Sequence, residues 1–314
     1  MATTQERTEQ QTTPAPEPSQ EKYRSLSQDV WRQFRRHKGA MAGLIILTII
    51  VVATLIGPLV YPQDPFALDI PNANQGPSAG HFMGTDNLGR DVMARVLIGG
   101  RISLSVGFAA MIVGVFLGTA IGVLSGFFKR IDGPLMRLTD LFLALPILPL
   151  LLVVIMLFRE PLKNAFGPEM GIFILVVGII GITGWMTTAR VVRGDVLSIK
   201  QEEFVMAAHS IGTKKRRVMT RHIVPNVLSP VMVAAALGVA VAILTESALS
   251  FLGLGFPADF PTWGRLLFDA KDYLQLTPMR VIWPGVMISL TVLSVNFIGD
   301  GLRDALDPKL RSKG

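Results

Sequence analysis

The chain has 314 residues, half of them hydrophobic and only 17% charged, with a mean hydropathy of +0.47. Soluble domains carry about 25% charged residues, so this composition excludes a protein whose whole surface faces water. The chain contains no cysteine, which excludes disulfides, thiolate-ligated zinc, iron–sulfur clusters and thiol nucleophiles. Its four histidines form no pair at the spacing of metal ligands, and no metal site is predicted.

Six apolar stretches follow a polar N-terminal region. A membrane-spanning helix needs about 20 mostly apolar residues, and backbone groups in lipid must be hydrogen-bonded within their own segment. The sequence therefore predicts an all-α integral membrane protein with six transmembrane helices. The stretches are residues 40–60, 102–128, 134–158, 171–189, 227–252 and 281–298.

Glycines recur inside the second stretch at four-residue spacing, as Gly114, Gly118 and Gly122. Small residues at this spacing allow two membrane helices to pack closely. Positions that merely tolerate glycine explain the pattern equally well.

The basic residues are distributed unevenly between the two sides of the predicted helices. Segments on the N-terminal side hold 22 of the 30 lysines and arginines. The positive-inside rule therefore predicts that both termini are cytoplasmic. Most of the excess positive charge is then a topology signal, and we expect no nucleic-acid partner.

The predicted helices divide the chain into segments. Residues 1–21 are rich in Thr, Gln, Pro and Glu, a composition typical of disorder. We expect a disordered tail over 1–30, the first transmembrane helix with an external segment over 31–101, a five-helix core over 102–300 that contains the cytoplasmic loop 190–225, and a C-terminal cytoplasmic tail over 301–314.

Outside the apolar stretches, residues 84–101 are expected to form a helix along the membrane surface, capped by Thr85 or Asp86. The alternative is that this segment is a docking surface for a partner protein. Three tryptophans near predicted helix ends, Trp185, Trp263 and Trp283, are explained by an interfacial aromatic belt.

Glu246 lies inside the fifth apolar stretch, where an ionisable group is costly and should face protein or water. We expect it to have a structural hydrogen-bonding role, although a proton relay stays open. Asp140 and Asn296 are further polar candidates for structural or gating roles.

The loop 190–225 contains a short helical pattern. Phe204, Ala207, Ala208 and Ile211 share one helical face, Gly212 suits the left-handed position after a helix end, and Thr213 could cap a second helix. One interpretation is an amphipathic helix on the lipid surface. The other is a helix presented to the groove of a partner protein.

The order Ala-Ala-x-x-x-Gly, with a proline thirteen residues later, resembles the EAA loop of binding-protein-dependent ABC importer permeases. Met206, Ala207, Ala208, Gly212 and Pro225 occupy the motif positions. Met206 stands where the usual residue is Glu. Glu203 and Phe204 precede the motif on the same predicted helix, and the resemblance implies that this loop contacts the ATPase.

Further segments resemble the dipeptide/oligopeptide/nickel permease family, and specifically the second (C-type) permease of each pair. They extend the resemblance over most of the chain from about residue 30. The segments are GTDNLGRD at 84–91, RISL at 101–104, ESALSFLGLG at 246–255, PTWG at 261–264 and GDGLRDALDP at 299–308.

The resemblance implies a type I ABC importer permease fold in a bacterial or archaeal cytoplasmic membrane. It implies a homologous permease, two ATPase subunits and an external substrate-binding protein as partners. ATP and magnesium would bind to the ATPases, so this chain would hold no cofactor and no catalytic residue. Substrates within related systems are di- and oligopeptides, nickel chelates, glutathione and oligosaccharides.

Two other function classes make different demands on the sequence. An autonomous secondary transporter would normally show internal repeats and buried ionisable pairs, and the sequence offers one buried carboxylate. An intramembrane enzyme would need a nucleophile and a base, or a metal pair, at the depth of the helices, and no such pair is evident.

Overall fold

A computed structural model describes residues 26–306 and is almost entirely helical over that range. A π-helical turn, Met219–Ile223, joins the eighth helix to the ninth. The helices are α1 (Leu26–Arg36), α2 (Lys38–Val60), α3 (Val92–Phe127), α4 (Lys129–Ala144), α5 (Ile147–Phe166), α6 (Pro168–Ile199), α7 (Glu203–Ser210), α8 (Lys215–Val218), α9 (Val224–Phe251), α10 (Trp263–Ala270) and α11 (Met279–Leu306).

Five helical stretches are long and apolar enough to cross a membrane: α2, α3, α6, the run from α8 through α9, and α11. The remaining apolar stretch is divided between α4 and α5, which meet at an angle of 88°. The prediction of one continuous helix over 134–158 is therefore wrong. Pro146 lies at the break, where proline lacks an N–H and disfavours helical geometry in the residue before it.

The two ends of the described chain are more helical than the sequence predicts. Helix α1 begins at Leu26, inside the predicted disordered tail, and α11 continues to Leu306, inside the predicted C-terminal tail. The two helices stabilise each other because Phe34 of α1 is buried in one cluster with Ala40 and Ala305. The rest of both predicted tails, 1–25 and 307–314, lies outside the described residues.

The external segment also differs from its prediction. Residues 85–91 form a turn closed by a bridge between Thr85 and Asp91. Gly89 has φ +77° in that turn, and a Cβ atom there would lie 1.7 Å from the Asp69 carbonyl oxygen. The helix begins only at Val92, where the Asp91 carboxylate accepts a hydrogen bond of 2.7 Å from the Ala94 N–H. The expected surface helix capped by Thr85 or Asp86 is wrong, because residues 92–101 are the first turns of the 36-residue helix α3.

Helices α3 and α6 pack along the glycine stripe. A Cβ atom at Gly118 would lie 2.6 Å from the Trp185 carbonyl oxygen, and one at Gly122 would lie 2.7 Å from the Ala189 carbonyl oxygen. Real side chains do not approach a backbone so closely, so only glycine permits this separation of the two helices. The close-packing interpretation of the stripe is confirmed.

Candidate functional site

Helix α7 ends in a two-bond glycine cap. The Gly212 N–H donates to the His209 carbonyl at 3.0 Å, and the Thr213 N–H donates to the Ala208 carbonyl at 3.1 Å. Gly212 has φ +77°, the left-handed conformation that this cap requires. The predicted helix end is confirmed. The predicted cap by Thr213 is wrong, because Lys214 occupies that position and makes no side-chain bond to the helix.

Only one narrow side of α7 is buried. Val205 and Ala208 pack into an apolar cluster with Val192 and Val196 of α6 and with Ile223. The short helix is therefore fixed to the end of α6 and to the start of the α9 stretch. Of the predicted face, Ala208 belongs to this buried side, and the other three residues are exposed.

The outer side of α7 carries exposed apolar side chains. Phe204 is 44% exposed, Met206 52% and Ile211 81%. Glu203 and Ala207 are exposed beside them. A cluster of exposed apolar residues on a polar loop is typical of a surface that contacts another molecule.

Pro225 lies in the first turn of α9, directly after the π-helical turn. Proline supplies no N–H to the carbonyl four residues earlier, and a π-turn is one way in which a helix accommodates such a gap. Helical structure thereby continues from the loop into the membrane-spanning part of α9 without a flexible linker.

A central cavity of about 720 Å³ lies between α3, α6, α9 and α11. Its walls are mainly small and apolar side chains, with hydroxyl groups from Thr183, Thr187 and Thr245. Asp195, Asp300 and Arg303 also line it. Binding sites for small molecules have volumes of about 300–1,000 Å³, so the cavity can hold a molecule of that size.

Glu246 is fully buried where α9 meets α3 and α10. Its carboxyl group accepts a hydrogen bond of 2.7 Å from the Ser250 hydroxyl and one of 3.3 Å from the Ser103 hydroxyl. Ser103 in turn accepts from the Trp263 backbone N–H at 3.1 Å. The carboxyl group thus connects α9 to α3, and the Ser103 hydroxyl connects α3 to α10.

Two of the three tryptophans expected at the membrane interface are buried inside the protein. Trp263 is fully buried, and its indole N–H donates to the Val96 carbonyl at 3.0 Å. Trp185 is 6% exposed and packs with Met186 and Ala189. The aromatic-belt interpretation is wrong for both, because close helix packing surrounds these rings with protein.

The other two polar candidates lie apart from the central cavity. Asp140 of α4 forms an ion pair of 2.5 Å with Arg190 of α6, and both side chains are largely exposed. Asn296 of α11 is half-buried, and its side chain makes no hydrogen bond within residues 26–306. The structure does not bring Glu246, Asp140 and Asn296 together.

A buried ionic cluster at the beginning of α3 was not predicted from the sequence. The Asp86 carboxylate lies 2.7 Å from Nε of Arg90 and 2.6 Å from Nη1 of Arg95. Arg95 also lies 3.5 Å from Asp269 of α10. Arg280 of α11, 5% exposed, donates instead to the amide oxygens of Asn74 and Asn87. The cluster therefore joins the loop before α3 to α10 and α11.

The electrostatics of this cluster favour an ionised carboxylate at Asp86. Burial raises the pKa of Asp86, but Arg95, the Leu88 backbone N–H and Arg90 together lower that pKa below its usual value. One local signal was available in the sequence, the four-residue spacing of Asp86 and Arg90 in the segment that begins at Gly84. The partners on α10 and α11 are too distant in sequence to be read from any local pattern.

The fold and these surfaces agree with what the chain is similar to. Residues 110–312 match the family described as binding-protein-dependent transport system inner membrane component. Residues 25–77 match the N-terminal transmembrane domain of oligopeptide transport permease C.

Curated relatives extend this similarity over nearly the whole chain. The dipeptide transport system permease protein of Alkalihalophilus pseudofirmus is 40% identical over 96% of this chain and 97% of its own length. The oligopeptide transport system permease protein of Bacillus subtilis is 40% identical over 91% of both chains. The glutathione transport system permease protein of Pectobacterium atrosepticum is 36% identical over 90% of this chain and 91% of its own. The chain belongs to the family of membrane-spanning permease subunits of binding-protein-dependent ABC importers.

Proposed function

We propose that this permease subunit forms half of a pathway for di- or oligopeptides and is coupled to ATPase subunits through α7. The exposed apolar side of α7, formed by Phe204, Met206 and Ile211, is the observation that carries the coupling. The names of the dipeptide and oligopeptide relatives support the substrate class.

The subunit works in an assembly. A homologous permease completes the wall of the central cavity, and an external binding protein delivers the substrate. Two ATPase subunits bind ATP and magnesium, and this chain holds neither. The concentration of lysine and arginine on the N-terminal side of the helices supports cytoplasmic termini and a cytoplasmic position for α7.

Helix α7 is suited to transmit force because it is docked rigidly. Val205 and Ala208 pack against residues of α6 and of the α9 stretch, both of which reach the central cavity. When ATP draws the two ATPases together, α7 moves with the ATPase surface that it contacts. Displacement of α7 then moves α6 and α9, and the cavity changes the side on which it is open. Hydrolysis takes place on the ATPases, and the permease supplies coupling and gating.

The cavity chemistry suits peptides of varied sequence. The Thr183 and Thr245 hydroxyls donate to carbonyls of their own helices and can accept a hydrogen bond from a peptide N–H, while the Thr187 hydroxyl can donate or accept. The small apolar side chains around them leave room for varied peptide side chains. Selection among substrates is then left mainly to the external binding protein.

The coupling is tested by adding bulk at an exposed position of α7. The complete complex is purified in mild detergent as wild type, Ala207→Trp and Gly133→Trp, and the bound ATPase is measured. Gly133 lies on α4 and has open space around an added side chain, so it controls for tryptophan itself. We expect Ala207→Trp to lose ATPase at least about tenfold, equal to ~1.4 kcal/mol, while the second permease stays bound.

A different result would favour the other transporter class. If the wild-type chain purifies without an ATPase and accumulates substrate in vesicles without ATP, the coupling proposal is wrong and autonomous secondary transport replaces it. If Ala207→Trp and Gly133→Trp behave alike, α7 is not the contact surface.

A further inference from the structure

Helix α1 is seated on the protein by one side only. Phe34 is 4% exposed and packs with Ala40 of α2 and Ala305 of α11. Val30, one turn earlier, packs against the same cluster. This contact fixes the rotation of α1 and determines which of its residues face away from the protein.

The boundary of that outer side is marked by an aromatic residue. Trp31 is 50% exposed, and its ring stacks on Phe34 with centroids 5.9 Å apart. One face of the indole therefore packs against Phe34, and the other face is exposed. Tryptophan in this position is typical of the interface between lipid and water.

The remainder of the outer side is mainly basic, since three exposed arginines outnumber the half-buried Asp29 in the first turn. Arg32, Arg35 and Arg36 are exposed, and none of them has a carboxylate partner within residues 26–306. A row of arginines beside an exposed tryptophan matches the pattern of helices that lie in the plane of a membrane.

The position of α1 relative to the membrane follows from its neighbour. Only His37 separates α1 from α2, which is apolar enough to span. The His37 ring accepts a hydrogen bond of 2.9 Å from the Ala40 N–H and lies 3.7 Å from Asp304 of α11. Helix α1 is thereby held beside the first turn of a helix that is apolar enough to span the membrane.

We infer that α1 is an interfacial helix whose arginines bind the headgroups of anionic phospholipids, with Trp31 inserted at the headgroup level. The guanidinium groups of Arg32, Arg35 and Arg36 form charge-assisted hydrogen bonds with the lipid phosphates and neutralise their negative charge. Because the exposed side of α1 has a net positive charge, an anionic phospholipid is favoured over an apolar protein surface as the molecule that covers it. The inference depends on α2 spanning the membrane and is independent of ATPase coupling and of the transported substrate.

Fluorescence quenching by lipid measures this contact directly. The purified complex is reconstituted into vesicles of equimolar phosphatidylcholine and phosphatidylglycerol, with bromine placed on one of the two lipids at a time. The signal of Trp31 is the difference between wild type and Trp31→Phe. Because both leaflets have the same composition, the result does not depend on the orientation of the chain.

We expect brominated phosphatidylglycerol to quench Trp31 several-fold more strongly than brominated phosphatidylcholine, with a preference that falls as salt rises. Changing all three arginines of α1 to Gln should remove the preference. The matched control changes Lys129, Arg130 and Arg137 of α4 to Gln, which removes the same charge from another exposed helix and should leave the preference intact.

Two results would overturn the inference. Equal quenching by both lipids in the wild type would show that the arginines select no headgroup. Absence of quenching by either lipid would show that another subunit covers Trp31. Neither result bears on the ATPase contact, which the Ala207→Trp comparison tests separately.

Discussion

Arg101 of α3 donates a hydrogen bond of 2.8 Å from Nε to the carbonyl oxygen of Thr54 in α2. That carbonyl lies four residues before Pro58, which has no N–H to offer it. A carbonyl left without a donor in lipid is costly. The same guanidinium also donates to the Leu55 carbonyl. Arg101 of α3 therefore provides the hydrogen-bond donor that Pro58 cannot provide within α2.

This relationship predicts an energetic coupling between Arg101 and Pro58. Arg101→Met should lower the unfolding free energy by about 1–3 kcal/mol because a buried acceptor loses its donor. In a Pro58→Ala background the loss should be smaller, since alanine restores the backbone N–H that the Thr54 carbonyl lacks. Thermal unfolding of the four variants in detergent gives the double-mutant cycle, and simple additivity would refute the coupling.

The α3–α6 packing predicts opposite effects for two glycines. Gly122→Ala should destabilise the subunit by about 1–3 kcal/mol, because the added Cβ would lie 2.7 Å from both the Ala189 carbonyl oxygen and the Val192 Cβ. Gly178→Ala, on α6 with open space at its Cβ, should be neutral or stabilising by about 0.5–1 kcal/mol through helix propensity. The unfolding midpoint should fall for Gly122→Ala and stay level or rise for Gly178→Ala, and equal shifts would contradict the proposed close contact.

The buried cluster around Asp86 predicts a dependence of stability on pH. A carboxyl group whose pKa is lower in the folded state contributes stability above its unfolded pKa, and this contribution disappears as pH falls through the folded pKa. The Asp86 pKa is lowered in this way. The thermal midpoint of the wild type should therefore decrease as the pH is lowered below about 5. Asp86→Asn should have a lower midpoint at neutral pH and a weaker decrease in acid.

Asp86→Asn should cost about 3–5 kcal/mol at neutral pH because it leaves Arg95 buried without its nearest carboxylate. Asp259→Asn provides the control, since Asp259 is exposed and makes no ion pair within the described range. Unfolding midpoints measured from neutral to acid pH separate the two variants. Parallel curves for wild type and Asp86→Asn would show that another group causes the acid sensitivity.

Local patterns in the sequence predict the elements that depend on local physics. Hydropathy over about 20 residues locates the spanning helices, because lipid requires an apolar segment with its own hydrogen bonds. The Ala-Ala-x-x-x-Gly pattern locates the end of α7, because Gly212 adopts the left-handed conformation that the cap requires. The outer side of α7 is harder to predict, since Val205 becomes buried only when α6 is in place.

Contacts between distant segments are the part that sequence reasoning misses. Arg95 meets Asp269 across 174 residues, and Ser103 meets Glu246 across 143. A local sequence pattern cannot show such pairings, since they form only when α9 and α10 pack against α3. The expected surface helix over 84–101 is wrong for a related reason. Gly89 has a left-handed backbone, and its close approach to Asp69 is visible only in the folded chain.

The ion pairs between α4 and α6 should differ in strength. Asp132 and Arg193 meet through two parallel bonds of 2.5 and 2.7 Å, whereas Asp140 and Arg190 form one bond between side chains that are both more than half exposed. Paired bonds fix both groups in one geometry, and single exposed pairs contribute about 0–1 kcal/mol. Asp132→Asn should therefore lower the thermal midpoint more than Asp140→Asn.

Charge reversal tests whether the Asp132 contribution comes from its pairing with Arg193. Asp132→Arg should place two guanidinium groups side by side and destabilise the subunit further, and adding Arg193→Asp should recover part of the loss by restoring opposite charges. The recovery should be incomplete because the longer side chain now begins on α4 and the fork cannot align in the same way. If Asp140→Asn costs as much as Asp132→Asn, or if the reversed pair recovers nothing, the link between α4 and α6 does not depend on this contact.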